Sequence, residues 1–124
     1  VWEMALFAAT KHLDNLIALV DFNKLQIDGR TDTDAVCNLG DIAAKFTAFG
    51  WYAQRVNGHD LEAVDAALTC AEHHKGSPSV IVLDTVKGHG WSEIEGQAGC
   101  HSRGLTAEEL ERALQEIRQR YHVQ

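Results

Sequence analysis

Three short apolar runs along the chain predict the strands of a single buried sheet. The runs cover residues 16–20, 51–56 and 79–86, and the last contains Val80-Ile81-Val82-Leu83 without a polar interruption. Uncharged runs of this length are typical of parallel strands that are covered on both faces. We therefore expect a parallel sheet, and we expect the strand at 16–20 to be buried on both of its faces.

Segments with helical spacing of apolar residues alternate with these runs. The predicted helices cover residues 2–12, 39–49, 61–74 and 106–121. Asn38 and Asp60 are the expected N-caps of the second and third helices, and Thr106 with Glu109 has the pattern of a capping box. The order α-β-α-β-α-β-α, without an internal repeat or linker, predicts an α/β/α sandwich within one domain over residues 1–124.

Two irregular segments interrupt this alternation. Residues 26–38 contain the turn pair Asp28-Gly29 and predict a loop with a small hairpin. Residues 87–104 contain five glycines, and an irregular segment of that length in a small domain is usually functional or disordered. Its first part, Lys87-Gly88-His89-Gly90, suits a lid or an approach to phosphate as well as an exposed mobile loop, and it lacks the frame of a P-loop.

Composition excludes several classes of function. The 124 residues carry a formal net charge of −7 without a basic stripe, which argues against nucleic-acid binding. There is no uninterrupted apolar stretch long enough for a membrane span. Cys37, Cys70 and Cys100 have neither disulfide nor zinc spacing, so we expect free thiols and a cytoplasmic protein. The chain has no signal-peptide pattern and does not begin with Met, so we expect a trimmed chain or an internal piece of a longer polypeptide.

Polar residues follow the first apolar run at once, at Asp21 and Asn23. Open α/β sheets bind their ligands at the carboxyl ends of parallel strands, so this position suggests a site. The Asn23 amide oxygen and the Leu25 carbonyl are hard, neutral oxygens of the kind that Mg²⁺ and Ca²⁺ accept. The alternative is that Asn23 closes a turn at the end of the strand, and spacing alone favours that interpretation.

The nine residues from Asp21 to Gly29, Asp-Phe-Asn-Lys-Leu-Gln-Ile-Asp-Gly, resemble the second half of the thiamine-diphosphate motif of transketolases. The likeness is to the amino-terminal subunit of split bacterial and archaeal transketolases. It extends from Val1-Trp2-Glu3 through Lys87-Gly88-His89-Gly90 to His101. The resemblance implies the thiamine diphosphate-binding fold. It also implies an incomplete domain, because the Gly-Asp-Gly half of the motif would lie upstream of Val1.

The resemblance also implies roles for individual residues. Asn23 and the carbonyl of Leu25 would hold Mg²⁺ (or Ca²⁺) and thereby the diphosphate, with the Asp of the upstream Gly-Asp-Gly as a further ligand. Asp21 is not a metal ligand in this pattern, and we expect it to bond neighbouring backbone or a partner chain. His101 would approach the cofactor and act catalytically, as a proton shuttle or a hydrogen-bond donor. Ser102 follows it where relatives have Gly, so the local backbone path departs from the pattern.

A transketolase transfers a two-carbon ketol unit from a ketose phosphate to an aldose phosphate, with Mg²⁺ and thiamine diphosphate. The resemblance implies that a pyrimidine-binding, carboxyl-terminal subunit or domain supplies the activating glutamate. We therefore expect a homo- or hetero-oligomer, and we expect this chain to be inactive alone. Trp2, Phe7 and Trp91 are candidates for the partner surface, although Trp2 and Phe7 fit a partly buried core equally well.

Three alternatives remain open. Another thiamine enzyme, such as a 1-deoxyxylulose-5-phosphate synthase or a transketolase for an unusual sugar, shares the Gly58-His59-Asp60 turn, whereas residues 25–29 favour transketolase. A non-catalytic scaffold or interaction domain of the same fold would follow from true loss of the Gly-Asp-Gly segment. A nucleotide-binding α/β protein is disfavoured, because no glycine fingerprint follows a strand.

Overall fold

The computed structural model describes residues 1–122, which form two compact units. The first unit comprises Val1–Asn23 and Leu39–Thr85, and the second comprises Lys24–Asn38 and residues 86–122. The first contains α1 (Trp2–Thr10), β1 (Ile17–Phe22), α2 (Ile42–Ala48), β4 (Tyr52–Asn57), α3 (Leu61–His73) and β5 (Ser79–Asp84). The second contains β2 (Leu25–Gln26), β3 (Gly29–Arg30), a 3₁₀ helix (Ala98–Ser102) and α4 (Ala107–Tyr121).

The first unit is built on a parallel three-stranded sheet in the order β1-β5-β4. Ile17 of β1 and Tyr52 of β4 both stand opposite Ser79, so the three strands begin in register. β5 lies in the centre and pairs on both sides, which is why its apolar run is the most buried of the three. β1 lies at an edge of this sheet and Leu19 is 54% exposed, so the prediction that both faces of this strand are covered is wrong.

Helices cover both faces of this sheet. Val80 and Val82 point to one face, where they join a core with Phe46 of α2 and the alanines of α1. Ile81, between them, points to the other face and packs on the alanines of α3. This alternation follows from the two-residue period of a strand. The predicted α/β class with a parallel sheet is confirmed, and the helices flank this sheet as in an α/β/α sandwich.

Side chains cap the helices of the first unit where polar residues precede them. The carboxylate of Asp60 accepts the backbone amides of Glu62 and Ala63, as predicted for α3. The predicted cap at Asn38 is wrong, because α2 begins at Ile42 and is capped by Asp41, whose carboxylate accepts the Ala44 amide at 3.0 Å.

The second unit contains the predicted small hairpin and the last helix. β2 and β3 pair antiparallel, with Gln26 opposite Gly29. The capping box at α4 is present in both directions, between Thr106 and Glu109. Among the helices of residues 1–122, none combines the length and the apolar character that crossing a membrane requires.

Candidate functional site

The carboxyl edge of the sheet in the first unit gathers one polar or small residue from the end of each strand. Asn23 follows β1, Gly58 follows β4 and Thr85 follows β5. Because the strands are parallel and in register, these three ends lie at the same edge. This is the edge at which open α/β sheets bind ligands.

The orientation of the Asn23 amide is set by Asp21. Asn23 Nδ2 donates to Asp21 Oδ2 at 3.2 Å. An ionised carboxylate can only accept hydrogen bonds, so the amide nitrogen must face Asp21 and the amide oxygen is turned away from it. That arrangement fits a magnesium ligand, because it is the hard carbonyl oxygen that Mg²⁺ would need.

Asp21 itself is engaged through both carboxylate oxygens. Oδ2 accepts from Asn23, and Oδ1 accepts from the hydroxyl of Thr85. The expected partners were neighbouring backbone or a second chain, whereas the partners found are two side chains of this chain. Sequence reasoning missed Thr85, because 64 residues separate it from Asp21.

Leu25 belongs to the second unit, where it begins β2 and is half-buried. Lys24, between Asn23 and Leu25 in sequence, has φ +63°, and its carbonyl accepts the Thr31 amide at 2.9 Å within the hairpin segment. A left-handed conformation costs a residue with a side chain about 1–2 kcal/mol. Strained backbone of this kind concentrates at binding and catalytic sites. The lysine gives no signal of this conformation in the sequence.

His101 lies on the 3₁₀ helix of the second unit and is exposed. Its Nδ1 is 3.3 Å from Nζ of Lys87. An ammonium group only donates, so Nδ1 accepts and the ring proton of the neutral imidazole is on Nε2. The ring therefore presents Nε2–H as a donor to whatever it meets. The contact with Lys87 was not predicted.

The segment that begins with Lys87 is folded back on itself. The Lys87 carbonyl accepts the Gly96 amide at 2.8 Å, and Glu95 accepts the Gly90 amide at 2.9 Å. The Gly90 amide, and after it Arg120, hold the pKa of Glu95 below its ordinary range against the opposing effect of burial. His89 Nδ1 also lies 2.8 Å from Glu95. The glycine-rich segment is thus an ordered turn.

The aromatic candidates for a partner surface divide into two kinds. Trp2 and Phe7 on α1 are 41% and 59% exposed. Trp2 also lines an apolar groove of about 520 Å³ with Leu19 and Phe46. Trp91 is only 4% exposed, so its assignment to a surface is wrong: the side chain is buried, with Arg103 over its ring.

Among residues 1–122, no group of three or more His, Cys, Asp or Glu side chains could hold a metal ion. The two candidate ligands, the side-chain amide of Asn23 and the backbone carbonyl of Leu25, do not belong to those four side-chain types. Asn23 and Leu25 thus remain a prediction from the motif, supported locally by the direction of the Asn23 amide.

Comparison with known proteins identifies the family. The family model described as "Transketolase, thiamine diphosphate binding domain" matches residues 1–123. The chain is 40% identical over 117 residues to the 6-deoxy-6-sulfo-D-fructose transketolase subunit of Clostridium sp. (strain MSTE9), covering 94% of this chain and 42% of that subunit. It is 34% identical to an apulose-4-phosphate transketolase subunit of Phocaeicola vulgatus, covering 97% of this chain and 42% of that subunit. With human transketolase the identity is 36%, over 94% of this chain and 18% of that protein.

Solved structures agree with these relatives. A transketolase from Campylobacter jejuni superposes with a TM-score of 0.84 at 28% identity, covering 94% of this chain and 18% of that one. Transketolase from Leishmania mexicana gives 0.82 at 28% identity, covering 93% of this chain and 17% of the other. This chain therefore spans less than half of the subunits and about a fifth of the full-length enzymes that it matches, and it belongs to the transketolase thiamine diphosphate binding domain family.

Proposed function

We propose that this chain is the larger part of the diphosphate-binding domain of a transketolase-like transferase. The enzyme would move a two-carbon ketol unit from a ketose phosphate to an aldose phosphate. The family match over residues 1–123 supports thiamine diphosphate as the cofactor. Two relatives are named for 6-deoxy-6-sulfo-D-fructose and apulose-4-phosphate, so the sugar can differ between members while the domain is retained.

The single observation that carries the proposal is the fixed amide of Asn23 at the carboxyl end of β1. Its oxygen is turned away from Asp21 and suits a divalent cation. With the Leu25 carbonyl it would hold Mg²⁺ (or Ca²⁺) and so the cofactor's diphosphate. Both are neutral oxygens, so the charge on the cation remains to attract the diphosphate and further acidic ligands.

Thiamine diphosphate, when bound, supplies the stabilised carbanion that such transfers need. The role we propose for His101 is to donate a hydrogen bond from Nε2–H, or to relay a proton, where negative charge develops on a substrate oxygen. The Lys87 ammonium beside Nδ1 supports that role, because it selects the tautomer with the proton on Nε2.

A pyrimidine-binding subunit or domain would complete the site and contribute the activating glutamate. The exposed apolar side chains of α1, including Phe7 and Trp2, are a suitable contact surface for it. Relatives named as transketolase subunits support an assembly of separate chains.

The test is calorimetric titration of thiamine diphosphate and Mg²⁺ into the full-length enzyme with its pyrimidine-binding partner. Asn23→Ala should raise the apparent Kd for Mg²⁺ by more than about 100-fold, since loss of supporting contacts alone costs a metal site 10–100-fold. Asn38→Ala is the matched control, because Asn38 also donates its amide to an aspartate, Asp34, at 3.1 Å. Unchanged metal binding in Asn23→Ala would refute the ligand assignment. If the wild-type enzyme binds no thiamine diphosphate, the result supports the alternative of a non-catalytic scaffold or interaction domain.

His101 is tested separately in the same enzyme. His101→Ala should lower kcat by about 100-fold, the lower range for a group that assists proton transfer, and should leave Mg²⁺ affinity nearly unchanged. His73→Ala is the control, because the His73 ring bonds only its own helix, to the Thr69 carbonyl, among the contacts described. An equal fall of kcat in His101→Ala and His73→Ala would contradict a catalytic role for His101.

A further inference from the structure

We infer that Asp21 is a positioning residue that fixes the metal-binding direction of Asn23, and that Thr85 in turn holds Asp21. This inference rests on the proposed function, since it needs Asn23 as a metal ligand. It goes beyond the family motif, because neither Thr85 nor Gly58 belongs to that nine-residue stretch.

The first step is the choice between two orientations of the Asn23 amide. A primary amide can present either oxygen or nitrogen to a cation, and only oxygen can ligate it. Asp21 Oδ2, at 3.2 Å from Nδ2, accepts only, so it stabilises one orientation and repels the other. Asp21 is exposed, so the hydrogen bond also has to compete with water for the amide.

The second step is how Asp21 keeps its own orientation. A lone aspartate on an exposed strand end would sample several rotamers. Here Oδ1 accepts the hydroxyl of Thr85, which follows the neighbouring strand β5. The Thr85 amide also donates to the Phe22 carbonyl at 3.4 Å, which ties the backbone of the two strand ends together. The carboxylate is thus held at both oxygens, with Oδ2 directed at Asn23.

The third step is the packing beneath Thr85. A Cβ added to Gly58 would lie 2.5 Å from Thr85 Cγ2 and 2.9 Å from Leu83 Cβ. The Gly58 amide donates to the Asp84 carbonyl at 2.8 Å, so the ends of β4 and β5 are hydrogen-bonded and cannot move closer together. Glycine at 58 therefore allows Thr85 to occupy the place from which it reaches Asp21.

These contacts link four residues in series: Gly58 leaves room for Thr85, Thr85 bonds Asp21, and Asp21 bonds Asn23. Each of the three strand ends contributes to it, and Asn23 is the only member with a ligand atom in the proposed function. Contacts that orient a metal ligand typically change metal affinity 10–100-fold when they are removed.

The test measures Mg²⁺ affinity calorimetrically, and Mn²⁺ affinity by electron paramagnetic resonance, on the full-length enzyme with thiamine diphosphate and its partner. Asp21→Ala should raise the metal Kd about 10–100-fold. Asp21→Asn keeps one carbonyl acceptor but replaces the other oxygen with a donor, so it can accept from only one of its two partners and should recover only part of that affinity. Thr85→Val, which removes only the hydroxyl, should show a smaller loss, and Thr85→Ser should match the wild type. Asp34→Ala, which breaks the other aspartate–asparagine pair, is the control.

The outcomes separate this inference from the proposed function. If Asn23→Ala weakens metal binding and Asp21→Ala does not, only the positioning role is overturned. If Thr85→Val keeps the wild-type affinity, the support of Asp21 by Thr85 is overturned. If Asn23→Ala leaves the affinity unchanged, the proposed function itself fails. In the Asn23→Ala background, Asp21→Ala should add nothing, and an additive loss would again count against positioning.

Discussion

The two units of the chain are stabilised in different ways. The first buries a continuous apolar core around β5, in which Val80, Ile81 and Val82 are completely buried. In the second, the buried apolar side chains among the described residues are Trp91 and Ala113.

Charged and polar pairs supply many of the contacts in that second unit. Three α4 side chains, spaced four residues apart on one helix face, bond the preceding irregular segment. Arg112 bonds Glu93, Glu116 bonds Ser92 and Arg120 bonds Glu95, each at 2.9 Å for its shortest contact. An apolar core has no charges that titrate or that salt can screen, whereas exposed charge pairs are weak and easily screened. We therefore expect the order of that irregular segment to depend on pH and salt more than the order of the first unit does.

The largest expected effect is in the core of the first unit. Ile81→Ala should lower the free energy of unfolding by about 2–5 kcal/mol, because it removes buried methyl groups and leaves a cavity. Leu61→Ala is the control, since Leu61 is 81% exposed and should change stability by less than about 0.5 kcal/mol. Urea unfolding of the full-length enzyme measures both. Similar values for the two variants would contradict a core centred on β5.

The next effect concerns His101 and stays within the second unit. Lys87→Met keeps the length of the aliphatic part of the side chain and removes the ammonium group that donates to Nδ1. We expect the imidazole to populate both tautomers and kcat to fall about 10-fold, less than on loss of the ring itself. Nitrogen chemical shifts of His101 report the tautomer directly. A single unchanged tautomer in Lys87→Met would show that Lys87 does not select it.

A smaller effect is expected at Lys24, whose φ is +63°. Lys24→Gly should be more stable than Lys24→Ala by about 1 kcal/mol, because glycine adopts this conformation without a steric cost. The comparison between the two variants cancels the lost lysine side chain. Thermal unfolding measures the difference, and a more stable alanine variant would refute strain at this position.

The smallest expected effect at neutral pH is on the exchange rates of α4, whose charge pairs hold it in place. This effect grows as the pH falls. Arg112 holds the pKa of Glu93 low, and the Gly90 amide holds that of Glu95 low. Groups with a lowered pKa in the folded state stabilise it above their unfolded pKa of about 4.3, and this contribution is lost as pH falls through their folded pKa. Hydrogen exchange in α4, corrected for intrinsic rates, should therefore stay constant from about pH 8 to 5 and rise below about pH 4.

The same experiment compares the two units directly. Exchange in β5 should remain slow in acid after α4 has loosened, because its protection comes from apolar burial. Glu95→Gln should speed α4 exchange already at neutral pH, since the amide binds Arg120 without charge. Simultaneous loss of protection in β5 and α4 would mean that the two regions open as one cooperative unit.

Much of this architecture could be predicted from local patterns. The run Val80-Ile81-Val82 predicted a buried strand, Asp60 predicted a helix start, and Thr106 with Glu109 predicted a capping box; all are confirmed. These signals lie within a few residues of one another, so the sequence contains them directly. The motif after β1 likewise indicated the family that the comparisons established.

Other predictions failed where the outcome depends on distant neighbours. The apolar run of β1 looked as buried as that of β5, yet strand order places β5 in the centre and leaves Leu19 exposed. Trp91 was predicted to be a surface aromatic and is buried, with Arg103, 12 residues further along the chain, over its ring.

By itself, the sequence determined the alternation of helices and strands, most of the caps and the membership of the family. Periodicity and capping are local, and a motif of nine residues is contiguous. The tertiary structure alone decided which strand is central and which partners meet the candidate ligands. Thr85 reaches Asp21 across 64 residues of sequence, and Lys87 reaches His101 across 14. Such contacts arise only when parallel strands pair in register or a loop closes, and no local pattern encodes that pairing.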